Sequence, residues 1–421
     1  MTFSKLGTDL QTGQLVYLPK ASRLQGLYII GIQGTGKSGL IENLIMQDID
    51  QQIGVCVLDP HGELIDHVIA RLEPKYENDV ILLDITKYQN PFGLNVFTCS
   101  DLTNPEKVEQ TVGQVMHVFE KLFGISHDTP LILEYLLNCT YTLVANQGYT
   151  MAEIPLLLTD KNCRQKLVAN VKKQQVLMFW RDYDSMPPSE QRIARSPILR
   201  RVNEFLQDLT FPIVGQAQTT IDLRQIMHEG KILLVKLSAK VESVSSLIGS
   251  LMIALLLNAA YNRPAQRRQF HLYADEFQRF ATEDFATLLE EARKFGIATT
   301  VAHQNRGQLN SANSKLETDL KDRSRSVGNM VVFKINSKDA DDLAGEFNVI
   351  PSVAEPVFEH DMQPIYEFWE EAEWDSTEVQ KEYRMLTEDS ARLFVRLDAL
   401  GLFALKDRNK YGTPVSYSPF A

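Results

Sequence analysis

The segment Gly31-Ile32-Gln33-Gly34-Thr35-Gly36-Lys37-Ser38 fits the pattern GxxxxGK[ST], and it constrains this chain more than any other feature. It follows a short apolar run, Leu27 to Gly31, and precedes Leu40, Ile41, Leu44, Ile45 and Ile49, which recur at helical spacing. A strand, a glycine-rich loop and a helix in that register form a cradle for phosphate. The glycines let backbone N–H groups turn inward, and the helix start adds the positive end of its dipole. Gly31, Gly34, Thr35, Gly36, Lys37 and Ser38 are the expected binding set. Lys37 acts there as a point charge between the β- and γ-phosphates, and the Ser38 hydroxyl as a ligand of Mg2+. Ile53 to Leu58 ending in Asp59, and Val80 to Leu83 before Asp84, repeat the strand pattern, so a parallel α/β sheet begins here.

The pattern then changes to helices. Asn104-Pro105 and Thr129-Pro130 each place a cap residue before proline at the first helical position. Val108, Val112, Val115, Phe119 and Leu122 supply one apolar stripe, and Leu131 to Leu143 another. Strands resume at Ile232 to Leu237, Phe270 to Ala274, Ile297 to Ala302 and Met330 to Ile335. The expected fold class is therefore α/β with a central, mostly parallel sheet interrupted by an all-helical insertion. Residues 1–100 and 229–350 form the two parts of the sheet domain, 101–228 the insertion, and 351–421 a C-terminal extension. That extension is acidic and aromatic: 12 Asp or Glu stand between Ala354 and Ala391 against Lys381 and Arg384, interrupted by Phe368, Trp369, Trp374 and Tyr383. It reads either as an exposed helix packed by its aromatics or as a docking or gating segment. Leu393 to Leu397 and Leu402 to Leu405 are expected to form a hairpin.

Phe270 to Ala274 is an apolar strand ending in Asp275 and Glu276. After a phosphate loop and a long insertion, paired acids at a strand end suit the second nucleotide motif. Asp275 would order the Mg2+ shell, and Glu276 would take a proton from the attacking water or orient it. Gln304 stands at the tip of the strand Ile297 to Ala302, placed to sense the γ-phosphate or the water; from the residues alone, a strand-end turn residue accounts for it as well.

At Asp59-Pro60-His61-Gly62-Glu63-Leu64 the chain resembles the FtsK/HerA superfamily of ring ATPases, and within it the DNA-coupling ATPases of conjugation and type IV secretion. The resemblance continues in Phe179-Trp180, in Pro212 to Gln216, in Ile221-Asp222-Leu223 with Gly230 to Leu237, and in Asp275-Glu276-Phe277. It closes with Glu291-Ala292-Arg293-Lys294-Phe295-Gly296 ahead of Gln304, and covers about residues 12 to 347. It implies a RecA-like P-loop motor that uses ATP and Mg2+, assembles as a homo-oligomer, typically a hexamer, and acts on DNA. It also implies that Arg293 reaches into the neighbouring subunit's nucleotide and that Gln304 is the sensor; Arg323 and Arg325, on the loop before the next strand, are the alternative arginine donors. Implied partners are a relaxase and secretion machinery, or, for a HerA-type ATPase of repair or defence, a nuclease. A nucleotide-gated scaffold that does not translocate is a third reading, against which Glu276 speaks. Membrane-bound coupling proteins carry N-terminal spanning helices, and no such segment is visible here. The expected location is the cytoplasm, with contact to the inner membrane face only through partners.

Charge limits how DNA could be held. Lys plus Arg number 43 against 54 Asp plus Glu, a formal charge of −11, so any nucleic-acid contact must be a local patch. Between Asp160 and Arg201 ten basic residues face four acids, and Arg192, Arg195, Arg200 and Arg201 are the candidate phosphate contacts; a solvated helical face is the equal alternative. Cys56, Cys99, Cys139 and Cys163 lie far apart with no CxxC spacing and read as reduced, mostly core thiols. The apolar run Leu247 to Ala260 is broken by Ser250 and Asn258 and reads as a buried helix.

Overall fold

The computed structural model describes residues 3–9, 15–87, 91–123, 125, 129–237, 242–264, 266–309, 314–343, 392–396 and 413–416. Its strands are β1 (Phe3–Asp9), β2 (Leu15–Pro19), β3 (Leu27–Ile30), β4 (Gly54–Asp59), β5 (Val80–Asp84), β6 (Ile232–Lys236), β7 (Phe270–Ala274), β8 (Ile297–His303), β9 (Asn329–Val332), β10 (Arg392–Arg396) and β11 (Thr413–Ser416). They form one sheet in the order β2-β1-β11-β10-β9-β3-β8-β7-β4-β6-β5. From β9 to β5 all neighbours are parallel. The other four strands add antiparallel at the β9 side.

The central strands are apolar without interruption because both their faces are covered. Tyr28 and Ile30 of β3, with Cys56 and Leu58 of β4, point into a core shared with the helical block. Leu27 and Ile29, with Val55 and Val57, point into the opposite core under the helix Lys37–Asp50. Each such side chain is essentially solvent-free, and its burial contributes about 1.5–3 kcal/mol.

Between β5 and β6 the described residues hold only helices. Asn104 caps the helix Pro105–Phe123, its Oδ1 accepting from Glu106 N at 2.9 Å. Where the chain enters and leaves this block, its two ends are laced together: Asn95 N donates to Thr219 Oγ1 at 2.9 Å, Leu94 N to Ile213 O at 3.0 Å, and Gln216 Nε2 to Pro91 O at 3.1 Å. Phe179 and Trp180 are packing residues. They join Tyr135 and Tyr183 in one aromatic cluster, and Trp180 Nε1 donates to Thr142 Oγ1 at 2.8 Å. The apolar run found in sequence lies in the helix Glu242–Tyr261, long and apolar enough to cross a membrane, yet here it packs on Pro105–Phe123 with Leu247, Ile248 and Met252 fully buried. The four cysteines are free; Cys56, Cys99 and Cys139 are buried and Cys163 is half-buried.

A polar network sits inside the apolar layer beneath the phosphate-loop helix. Asp48 accepts from Arg23 Nη2 at 3.1 Å and from the Tyr273 hydroxyl, and pairs with His271 Nδ1; Arg23 also reaches Thr300 Oγ1 at 3.1 Å. It ties the helix to β7 and β8, and its members are 0–1% exposed.

Two expectations change. β10 covers Leu393 to Arg396 of the first arm of the expected hairpin, but it pairs antiparallel with β11, residues 413–416; Leu397 and the second expected arm, Leu402 to Leu405, lie outside the described residues. Arg323 and Arg325, read as loop residues, stand in the last turns of the helix Ser314–Ser326, where Arg323 Nη1 lies 3.5 Å from Glu290 Oε2. The acidic stretch 354–391 also lies outside the described residues.

Candidate nucleotide site

The phosphate loop joins β3 to the helix Lys37–Asp50 at the C-terminal edge of the parallel sheet, where α/β sheets place their ligands. Its three glycines are required by geometry. Gly36, at the helix N-cap, has φ 101°, a left-handed conformation that side chains disfavour. A Cβ on Gly31 would stand 2.5 Å from Phe333 Cβ. Gly34 has open space where a Cβ would stand, but its φ of 79° is likewise left-handed. Lys37 is buried and folds back along the loop, Nζ donating to Gly31 O at 2.6 Å and Ile32 O at 3.1 Å; Thr35 Oγ1 donates to Ile32 O at 2.7 Å. Ser38 is exposed at the mouth.

β8 lies between β3 and β7, so Gln304, just past its end, stands between the phosphate loop and the acid pair. This juxtaposition turns three separate motifs into one site. Gln304 Nε2 donates to Glu276 Oε1 at 2.9 Å. Glu276 Oε2 accepts from Gln278 Nε2 at 2.6 Å. Glu276 itself sits at φ 45°, ψ 45°; it and Gln52 alone among described non-glycine residues have positive φ. That backbone is strained by about 1–2 kcal/mol for an L-residue, and it reverses the chain so that Gln278 returns to the carboxylate two positions earlier.

Sequence reasoning overlooked two members of this constellation. Gln278 is one, and only the reversal at Glu276 brings it there. Asp59 is the other: it ends β4, the strand next to β7, and is buried with Oδ1 accepting from His61 N at 2.9 Å and Oδ2 from Ile65 N at 3.1 Å. The Asp-Pro-His-Gly turn at that strand end was the available signal.

Burial pushes the Asp275 carboxyl up to about 7, Glu276 and Asp59 adding to the shift and Lys37 opposing it. Burial also lowers Lys37 from the usual lysine range, against the pull of Asp275 and Glu276. A lysine, a reluctant carboxyl and an open helix N-terminus match what a magnesium–phosphate group requires. Among the described residues no cluster of three or more His, Cys, Asp or Glu could hold a metal. A cation beside Ser38 and Asp275 would therefore draw its other ligands from phosphate oxygens and water, as Mg2+ commonly does.

The remaining expected residues lie elsewhere. Arg293 is exposed in the turn Ala292–Phe295 that precedes β8, at the sheet edge opposite the phosphate loop. The seven residues of β8 separate it from Gln304 by about 20 Å. In the helix Pro188–Phe205, Arg192 and Arg200 are exposed. Arg195 instead donates to Leu158 O at 2.9 Å, and Arg201 to Phe123 O at 3.4 Å. Arg164, counted in the same basic stretch, is buried against Asp184 and lies 4.9 Å from the Tyr183 ring centroid.

No protein-family model and no curated protein matches the sequence. Solved structures do share its fold. The bacterial conjugative coupling protein TrwB, in an unbound form lacking its N-terminal segment, superposes with a TM-score of 0.68 at 15% identity, covering 96% of this chain and 86% of that one. The plasmid coupling protein TrwB in complex with ADP and Mg2+ gives 0.65 at 15% identity, covering 96% and 87%. VirB4 of Thermoanaerobacter pseudethanolicus gives 0.61 at 12% identity, covering 99% and 96%. The chain thus has the RecA-like P-loop fold of these proteins.

Proposed function

We propose that this protein is a Mg2+-dependent ATP hydrolase that works as a homo-oligomeric ring, a hexamer by analogy with its sequence resemblance, and moves DNA in conjugative or type IV secretion-like transfer. The observation that carries the reading is the Glu276 carboxylate, held by the amide of Gln304 beside Asp275 and on the same sheet edge as Lys37. A binding-only loop has no use for such an arrangement. Gly31 to Ser38 bind the phosphates, and Lys37 exchanges its loop carbonyls for phosphate oxygens. Ser38 and Asp275 would hold Mg2+, which when bound offsets the charge that develops on the phosphoryl oxygens. Glu276 accepts a proton from water as the water oxygen bonds to the γ-phosphorus and the bond to the ADP oxygen breaks. Gln304 keeps the carboxylate aimed.

The position of Arg293 supports a shared site. Being exposed and about a strand's length from its own phosphate loop, it can serve a phosphate only in another subunit. Residues 1–100 with 229–350 act as the motor and 101–228 as the insertion facing DNA, where Arg192 and Arg200 are the available phosphate contacts. The parts of the transfer apparatus implied as partners are a relaxase and the secretion channel, met at the cytoplasmic membrane face. Mixing inactive Lys37→Ala with inactive Arg293→Ala subunits tests the ring: some interfaces then pair an intact loop with an intact arginine, and part of the activity should return. Mixtures that stay dead, with wild-type turnover independent of protein concentration, would refute it.

A further inference from the structure

The hydrolytic carboxylate is tied to the helical block through a short chain of contacts that the catalytic reading does not require. Lys121, near the end of the helix Pro105–Phe123, donates from Nζ to the backbone oxygen of Gln278 at 3.2 Å. The side chain of that same Gln278 donates to Glu276 Oε2 at 2.6 Å. The rest of this turn is also gripped from the helical side. Ser246 Oγ donates to Arg279 O at 2.7 Å, a Cβ on Gly249 would stand 2.7 Å from Phe280 Cβ, and His117 Nδ1 pairs with Asp284 Oδ1 at 2.9 Å. The segment directly after Glu276 therefore follows the helices Pro105–Phe123 and Glu242–Tyr261.

The hold on Glu276 is not a relaxed one. With Gln304 on Oε1 and Gln278 on Oε2, each carboxylate oxygen already accepts an amide proton. To take a proton from water, the carboxylate must share or exchange one of these contacts. The carboxylate also dictates which end of the Gln278 amide faces it, leaving Gln278 Oε1 buried without a partner. An unmade hydrogen bond there favours any state in which Gln278 lets go.

Resting on the reading of Glu276 as the water-activating group, we propose that Gln278 is a positioning residue that restrains the Glu276 carboxylate, and that Lys121 sets this restraint from the helical block. Movement of the Pro105–Phe123 helix then reaches the active carboxylate by shifting one backbone carbonyl. The helical block gates hydrolysis without touching nucleotide.

The test is ATP turnover of the full chain without DNA. Gln278→Met, which keeps the side-chain length and removes the donor, should raise kcat about fivefold, the rate equivalent of one ordinary hydrogen bond, with KM for ATP unchanged. Lys121→Met should do the same, and Lys121→Arg, which keeps a donor, should behave as wild type. Because the two residues act in one chain, the double variant should be no faster than either single one. A kcat that stays level or falls in both Met variants overturns the inference, as do additive effects in the double variant. Glu276→Gln measured alongside separates the two claims. If it is inactive while Gln278→Met is not accelerated, this inference alone fails; if it keeps wild-type turnover, the hydrolytic reading fails and takes the inference with it.

Discussion

Replacing Glu276 in two ways should separate its chemical part from its structural one. In Glu276→Gln the new amide must meet two amide donors, Gln304 Nε2 and Gln278 Nε2, with a single acceptor oxygen. The clash has a ready solution. Gln278 Oε1 is buried without a partner, so turning that amide over lets it accept from the new N–H and moves the one unpartnered group to Gln278 Nε2, leaving the number of unmade bonds unchanged. Stability should therefore change by less than about 1 kcal/mol. Turnover should fall about 100- to 10,000-fold, since no base remains to take the proton. In Glu276→Ala both donors lose their acceptor inside the protein, at about 1–3 kcal/mol each, for a total of about 2–4 kcal/mol once partial rehydration is allowed. With an unfolding entropy of about 2 cal/mol/K per residue, the 421 residues give nearly 0.9 kcal/mol/K, so Tm should drop by about 2–5 °C for Glu276→Ala and by about 1 °C or less for Glu276→Gln. Thermal unfolding of nucleotide-free protein and steady-state phosphate release measure the two quantities. Equal destabilisation of the two variants would refute the hydrogen-bond account, and near-wild-type turnover in Glu276→Gln would refute the assignment of the base.

Three further outcomes are expected. Gly31→Ala forces a Cβ against Phe333 and Lys334 O, so the loop must shift, and ATP affinity measured by titration should fall at least about tenfold. Acid should weaken the fold. Burial holds His271 below the usual histidine range against the pull of Asp48, and burial with Arg306 pushes His303 down to about 3. Below about pH 6.5 the unfolded chain binds these protons before the folded one does. Stability is thus present above that pH and lost as pH falls, by about 1.4 kcal/mol per unit for each histidine, and the pH slope of the urea midpoint between 6.5 and 5 should be shallower in His303→Gln. Arg192→Ala with Arg200→Ala should lower the salt slope of DNA binding by about two units, with Tm unchanged, whereas Arg195→Ala with Arg201→Ala should lower Tm because their carbonyl contacts are internal; an unchanged salt slope returns Arg192 and Arg200 to an ordinary solvated surface.

What could be read from sequence follows the range of the forces involved. The six inner parallel strands stand out because a strand buried on both faces is apolar without a break, the half-buried edge strand β5 by its apolar run alone, and the phosphate loop because strand, glycines and helix are contiguous. β1 and β2, with sequences FSKLGTD and LVYLP, are short and mixed. They pair with each other, but their place in the sheet depends on β11 at the other end of the chain, which no local period announces. The basic stretch looked uniform because composition counts charges and not their partners: Arg164, Arg195 and Arg201 are engaged internally, and nothing within a few residues reveals Asp184, Leu158 or Phe123 as the acceptor. Gln278 was illegible for the same reason. Its value comes from a left-handed Glu276 and from Lys121, 157 positions earlier.

The pairing of β1 with β11 and of β10 with β9 gives the order of synthesis a physical meaning. As the chain emerges, the hairpin of β1 and β2 is made first, yet its place in the sheet does not exist until residues 392–416 have appeared. Until then β9 offers an open row of backbone donors and acceptors beside the phosphate-loop strand, the kind of edge to which another nascent chain can add. A polypeptide ending at Leu343 would retain every nucleotide-site residue and still be left with that edge, and with a hairpin held by the helix Lys37–Asp50, where Lys5 N donates to Gln47 Oε1 at 2.6 Å, but not by the sheet. Such a fragment should be prone to aggregate, and helpers that shield strand edges during translation should matter more for this protein than its parallel core alone would suggest.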